Sequence, residues 1–94
     1  MEIPSAEKCK EVSTILKILA HPQRLALLCF INDNKRSVNE IAEKCKISQS
    51  QTSQFLQNMM ALGILDYQSK AQRKYYFISS KNVKKLIHSL HKIF

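Results

Sequence analysis

Two helix-start signals, eleven residues apart, constrain the fold of this chain more than any other feature. Ser37 precedes Glu40 by three residues, and Ser48 precedes Gln51 by three. In such a capping box the hydroxyl and the third side chain each bond a backbone N–H that a helix leaves unpaired at its start. The two signals predict two short helices joined by a tight turn over residues 37–62.

Inward-facing residues define one face of each of these helices. Ile41 and Ala42 face inward on the first helix, and Ile47 occupies the turn. On the second helix the inward-facing positions recur at steps of three and four, which is the helical period. They are Thr52, Phe55, Leu56, Met59 and Met60.

The opposite face of the second helix has an unusual composition, because residues 48–62 contain neither Lys nor Glu. Amide side chains pair bidentately with the adenine edge, hydroxyls reach bases or phosphates, and a helix N-terminus favours phosphate. The pattern favours a helix that reads a DNA major groove; a plain polar helix in a small α-bundle is the alternative. The candidate DNA-binding residues here are Ser48, Gln49, Ser50, Gln51, Ser53, Gln54 and Gln57.

Composition supports a nucleic-acid partner. The 94 residues predict one domain, residues 1–94, and 15 basic against 7 acidic side chains give a net charge of +8. A polyanion is therefore the expected partner, with double-stranded DNA first and a membrane surface second. No apolar run long enough to span a membrane and no signal peptide are found. Three cysteines without motif spacing indicate a reducing compartment, so a cytoplasmic location is expected.

Three further helices are predicted around this central pair. Ser5 begins one that runs to Ala20, Pro22 fits the first turn of the next, and Ser79 or Ser80 begins one that ends at Phe94. The second of these is interpreted as the buried centre. Its apolar positions are Leu25, Ala26, Leu28, Cys29 and Phe30. The last helix carries more apolar surface than a small domain needs, so we expect residues 5–20 and 80–94 to form a dimer interface.

After Gly63, which suits a left-handed helix stop, the pattern changes to period two. Residues 64–78 predict two antiparallel strands, 64–69 and 74–78, with a basic hairpin tip at 70–73. We expect the tip to contact the DNA backbone or a minor groove, the alternative being an ordinary charged turn. The basic candidates are Lys70, Arg73 and Lys74 on this hairpin, with Lys35 and Arg36 placed for phosphate before the central helices.

This order of elements resembles the ArsR/SmtB family of winged helix-turn-helix repressors, most of all the HlyU/BigR/SqrR-type branch. The residues that carry the likeness lie in 19–29, 37–42, 48–56, 62–65 and 76–79. The resemblance implies a mainly α fold with five helices and a two-stranded β wing, dimerised through its first and last helices. It also implies a repressor or anti-repressor that binds an inverted repeat in promoter DNA. By position, Gln49, Ser50, Ser53 and Gln54 would read bases, and Arg73 would be the wing contact.

The sequence departs from this branch at Phe55, where His is frequent; an aromatic ring there is expected to pack inward. The family's metal sites also find no match, because the third helix lacks a Cys-x-Cys pair and Ser80 and Asn82 replace the last-helix ligands. His88 and His91 share a helix face but form an incomplete zinc site. We expect surface histidines, no metal and no cofactor, with a metal-responsive repressor as an alternative.

Redox sensing is the other function that the resemblance to this branch implies, and Cys29 matches the branch's second-helix cysteine. The partner cysteine would fall just beyond Phe94, so Cys9 is the substitute candidate if the two Cα atoms lie within about 7 Å. The apolar neighbours Leu28 and Phe30 offer nothing that would lower a thiol pKa. Cys45 is interpreted as a packing residue.

An enzyme is not expected, and neither is a small-molecule substrate. The chain has a single Gly, which excludes a phosphate-cradling loop, and its seven acids are scattered. A winged-helix module for protein–protein assembly is the remaining alternative, and it predicts weak, sequence-blind DNA binding.

Overall fold

Five helices and one β-hairpin make up the chain in a computed structural model that describes all residues, Met1–Phe94. The elements are α1 Ala6–Leu19, α2 Pro22–Ile31, α3 Val38–Cys45, α4 Gln49–Ala61, β1 Leu65–Lys70, β2 Arg73–Ile78 and α5 Lys81–Ile93. This is the predicted winged helix-turn-helix fold, with α3 and α4 as the helix-turn-helix and the hairpin as the wing.

Serine caps begin four of the five helices. The hydroxyls of Ser5, Ser37, Ser48 and Ser80 each accept a hydrogen bond from the backbone N–H three residues on. The capping box at Ser37 is complete, because Glu40 Oε1 also accepts from the Ser37 N–H at 3.0 Å. That backbone bond is the main reason that the pKa of Glu40 lies below its ordinary value. The second predicted box is wrong in one half, since the Gln51 side chain makes no such return bond.

One apolar core joins all five helices and the wing, with Leu19 as the contribution of α1. Fifteen buried residues form it. Within α2 the predicted face is partly wrong: Leu27, Leu28 and Ile31 are buried, whereas Ala26 and Cys29 are exposed. Residues 25–31 are apolar without interruption, so the sequence period could not identify the inward face.

The two strands extend one residue further toward the tip than predicted, so the tip is tighter. β1 and β2 pair antiparallel from Leu65 opposite Ile78 to Lys70 opposite Arg73. Only Ala71 and Gln72 form the turn, both at positive φ, which is the type I′ geometry that matches strand twist. At the other end Gly63, at φ +75°, ends the segment after α4 as predicted.

A third backbone segment lies beside the wing just before α3. Arg36 and Tyr76 exchange two backbone hydrogen bonds, of 3.1 and 2.7 Å, as an isolated antiparallel bridge. The bridge holds the start of α3 at a fixed distance from β2.

Membrane-spanning length is not reached by any single helix. The helices α1 and α2 would be long and apolar enough only if taken together, and they meet at a 92° bend.

The complete capping box predicts that Ser37→Ala lowers the free energy of unfolding by about 1 kcal/mol, because an N–H at the start of α3 loses its partner. Urea denaturation measures this. Ser89→Ala is the matched control, since Ser89 is exposed within α5 and Ala favours helix, so stability there should hold or rise slightly. Equal effects of the two substitutions would contradict the role of the cap.

Candidate nucleic-acid interface

The two faces of α4 are separated as the sequence predicts. Thr52, Phe55, Leu56 and Met59 are buried, and Met60 is half-buried. The outer face presents amides and hydroxyls to solvent. Its exposed members are Ser48, Gln49, Ser50, Gln54 and Gln57, while Gln51 and Ser53 are half-buried.

Phe55 packs inward as expected, with 6% of its surface exposed. The His21 ring meets it edge-on at 5.3 Å between centroids, and the Arg24 guanidinium lies 5.7 Å from its centre. The Arg24 side chain in turn donates to the Ile18 carbonyl at 3.0 Å. Position 55 therefore belongs to the junction of α1, α2 and α4 and is not available to a base.

The N-terminus of α4 is free of acidic residues. Its first turn carries none, whereas that of α3 carries Glu40. The partial positive charge of the α4 N-terminus is therefore not neutralised within the chain, which suits an approaching phosphate.

A polar groove of about 340 Å³ lies between the start of α3 and the wing. Its lining residues are Ser37, Val38, Asn39, Gln72, Arg73, Lys74 and Tyr76. The Lys74 ammonium sits 4.7 Å from the centre of the Tyr67 ring, which steadies a long side chain. The groove brings two predicted basic residues, Arg73 and Lys74, next to the N-terminus of a second helix.

Asn39 and Gln72 are further candidate site residues that the sequence did not indicate. Asn39 Oδ1 accepts a 2.7 Å hydrogen bond from Gln49 Nε2, which links α3 to the reading face of α4. Both residues are exposed polar groups beside predicted site residues. They differ from other exposed polar residues only in lying close to candidate site residues that are distant in the sequence.

Lys70, which pairs with Arg73 across the hairpin, and Lys35 lie on the face of the wing opposite Lys74 and Tyr76. Lys35 and Lys70 share a cleft with Gln68, Ala71 and Tyr75. The Lys35 ammonium donates to Gln68 Oε1 at 2.6 Å and lies 5.2 Å from the centre of the Phe77 ring. The predicted basic residues of the wing are thus divided between its two faces.

Arg36 is half-buried and has protein partners of its own. Its guanidinium lies 3.4 Å from Glu40 and 4.7 Å from the centre of the Phe30 ring. The Nε–H is buried without a hydrogen-bond partner. Part of its charge is therefore engaged within the protein, unlike that of Lys70 or Arg73.

Comparison with known proteins decides the family. The profile described as "Bacterial regulatory protein, arsR family" matches residues 21–67, from the start of α2 into β1. The chain belongs to the ArsR family.

Relatives within this family span nearly the whole chain. The transcriptional activator HlyU of Vibrio cholerae is 36% identical over 80 residues, covering 85% of this chain and 74% of HlyU. The biofilm growth-associated repressor of Agrobacterium fabrum is 37% identical over 93 residues, covering 98% and 80%. This ArsR-family chain is therefore a DNA-binding transcriptional regulator and not an enzyme.

Solved structures agree with this assignment. HlyU from Vibrio cholerae superimposes with a TM-score of 0.89 at 32% identity, covering 96% of this chain and 98% of that one. A homodimeric winged helix-turn-helix DNA-binding domain from Mycobacterium bovis gives 0.81 at 25% identity, covering 99% and 89%.

The redox candidates of this ArsR-family chain are far apart. Cys9 lies near the free end of α1 and Cys29 near the free end of α2, and these helices meet at 92°. At 1.5 Å per residue their Cα atoms are about 20 Å apart, too far for a disulfide within one chain. The pKa of Cys45 is raised first by burial and then by the charge of the Cys29 thiolate. Burial also raises the pKa of the Cys29 thiol.

His88 and His91 are both exposed on α5. No group of three or more His, Cys, Asp or Glu side chains is arranged to hold a metal ion.

The raised pKa of Cys29 predicts slow alkylation, because the thiolate is the reactive form. In a Cys9→Ser/Cys45→Ser protein, iodoacetamide labelling of Cys29 should reach half its maximal rate at a pH above the roughly 8.5 of a free thiol. Mass spectrometry across a pH series measures this. A midpoint below that value would mean that the fold stabilises the thiolate, as a thiol sensor requires.

Proposed function

We propose that two copies of the chain bind an inverted repeat in promoter DNA, with each α4 in a major groove. One observation carries the proposal: the outer face of α4 is exposed, uncharged and rich in amides and hydroxyls, while its inner face is buried. A helix held this way presents hydrogen-bonding groups to base edges without the conformational cost of ordering a loop.

Four residues are the proposed base-reading set: Gln49, Ser50, Ser53 and Gln54. Gln54 is exposed at the centre of the outer face, where an amide can pair bidentately with adenine. Ser48, Gln51 and Gln57 flank this set. The Asn39–Gln49 hydrogen bond supports a fixed direction for the Gln49 amide before DNA arrives.

Phosphate contacts are proposed on both sides of the reading face. Arg73 and Lys74 would hold one strand of backbone in the groove beside the start of α3. Lys35 and Lys70 would meet backbone on the other face of the wing, and Arg36 would contribute through its exposed part. Such contacts fix register and supply salt-dependent affinity without reading sequence.

A homodimer through α1 and α5 is proposed from their exposed apolar surface. Val12 and Leu16, one turn apart on α1, are 44% and 48% exposed, and Phe94 at the end of α5 is 98% exposed. Between the two helices lies a cleft of about 190 Å³ lined partly by Val12, Ile15 and Leu86. A second copy would cover this surface, and a structural relative is described as homodimeric.

The direction of regulation is proposed as repression or anti-repression. Relatives include both an activator and a repressor, and displacing another DNA-binding protein would account for activation by the same fold. The proposed location is the cytoplasm, where promoter DNA is available.

If Gln54 reads a base, Gln54→Ala should cost about 1–3 kcal/mol at one base pair and relax specificity there. Fluorescence anisotropy on the upstream promoter duplex, on single-base variants and on a scrambled duplex measures the effect. Gln23→Ala removes an exposed amide from α2 as the matched control. A uniform loss across all duplexes would make Gln54 a backbone contact instead.

If α1 forms the dimer interface, Val12→Asp/Leu16→Asp should give a folded monomer that loses tight promoter binding, because charges would be buried between the copies. Analytical ultracentrifugation gives the mass and circular dichroism the fold. Thr14→Asp adds a charge on another face of α1 and should leave the dimer intact. A dimer that survives the double substitution would place the interface elsewhere.

A further inference from the structure

A basic cleft lies away from the DNA-reading face, between the first half of α5 and the loop after α2. Its volume is about 300 Å³. Lys81, Lys84, Lys85 and His88 form one wall, and Asn32 and Asp33 form the other. The α5 members recur at steps of three and four, so they lie on one face of the helix.

The positive charges on this face are unfavourable for the stability of α5. Cations are unfavourable at a helix N-terminus, yet Lys81 is the first residue of α5 and its first turn has no acid. The whole helix lacks Asp and Glu. Like charges three and four residues apart also repel. The chain's two ion pairs, Lys8–Glu11 and Arg36–Glu40, leave these lysines without an anionic partner.

The opposite wall offers hydrogen-bond acceptors. Asn32 Oδ1 is buried and has no hydrogen-bond partner. The Asp33 carboxylate is also unpaired, because no side chain lies within hydrogen-bonding or ion-pairing distance of it. The Asn32 Oδ1 atom has almost no accessible surface, whereas Asp33 is exposed and can accept a hydrogen bond from an occupant of the cleft. An occupant therefore needs anionic groups at one end and hydroxyl or amino donors at the other.

The cleft lies away from the wing tip, and Lys35 is the one proposed phosphate contact beside its Asn32–Asp33 wall. The cleft lies at the base of the wing, where α5 begins three residues after Ile78, whereas Arg73 lies at the tip. Five residues of β2 separate these ends, which is about 17 Å at the usual strand rise.

We propose that this cleft binds a small phosphorylated compound that carries hydroxyl groups, such as a sugar phosphate or a nucleotide. The phosphate lies among Lys81, Lys84 and Lys85 at the positive end of the α5 dipole, and a hydroxyl donates to the exposed Asp33 carboxylate. The volume lies at the low end of ordinary ligand sites, so a phosphate and one sugar ring fill it. The compound is a bound ligand and is not transformed.

The test is isothermal titration calorimetry of the full chain with ribose 5-phosphate and with ADP, at constant ionic strength set by KCl. Lys81→Gln/Lys84→Gln should weaken binding at least about tenfold, or 1.4 kcal/mol. Lys10→Gln/Lys44→Gln removes the same charge from exposed positions on α1 and α3. It should change affinity less than about twofold, because salt screens the attraction between distant charges and the ligand. Circular dichroism confirms that both variants fold.

Several outcomes separate the possibilities. Equal binding of both compounds supports the sugar phosphate as the recognised unit, and binding of ADP alone supports the nucleotide. Equal losses in the two double variants would mean non-specific attraction and overturn the site, as would no binding of either compound below about 1 mM. A loss of duplex affinity in Lys81→Gln/Lys84→Gln, without loss of ligand binding, would make the cleft a DNA surface and also overturn it. Promoter binding by the unaltered chain tests the proposed function independently.

Discussion

Burial of the inner face of α4 is the interaction on which the rest of the structure depends. Thr52, Leu56 and Met59 are fully buried, and Phe55 fills the junction with α1 and α2. Because protein interiors pack as tightly as crystals, a helix anchored along one face cannot rotate about its axis. The outward direction of the amides on the other face is therefore fixed by apolar contacts that never approach DNA. The proposed reading of bases by α4 therefore depends on packing in the core.

The wing depends on a second constraint, the backbone bridge between Arg36 and Tyr76. The bridge ties the segment before α3 to the middle of β2, so the two walls of the basic groove are held together by peptide hydrogen bonds. Side chains then reinforce this arrangement, with Lys35 bonded to Gln68 across the outer face. A groove assembled in advance loses less entropy when a phosphate chain enters it.

Local signals predicted most of this architecture, because caps and periodicity act over a few residues. The serine caps located the helices, and both strands were placed within one residue of their ends. The inward face of α2 could not be predicted, since every residue from Leu25 to Ile31 is apolar. The hairpin tip was predicted as four residues, 70–73, and its two-residue length was not, because neither Ala71 nor Gln72 is a usual type I′ former. Contacts such as Asn39 with Gln49 require the tertiary fold, and no local rule encodes them.

The division of labour across α4 has a consequence for how such regulators diversify. Substitutions at exposed positions usually change stability by less than about 0.5 kcal/mol, so Gln49, Ser50, Gln54 and Gln57 are open to change without threatening the fold. Phe55 is not, since it belongs to the core. After gene duplication, one copy could therefore acquire specificity for a new operator through a few substitutions that leave the stability of the fold nearly unchanged. Its descendants would retain the same scaffold while their regulated genes diverged.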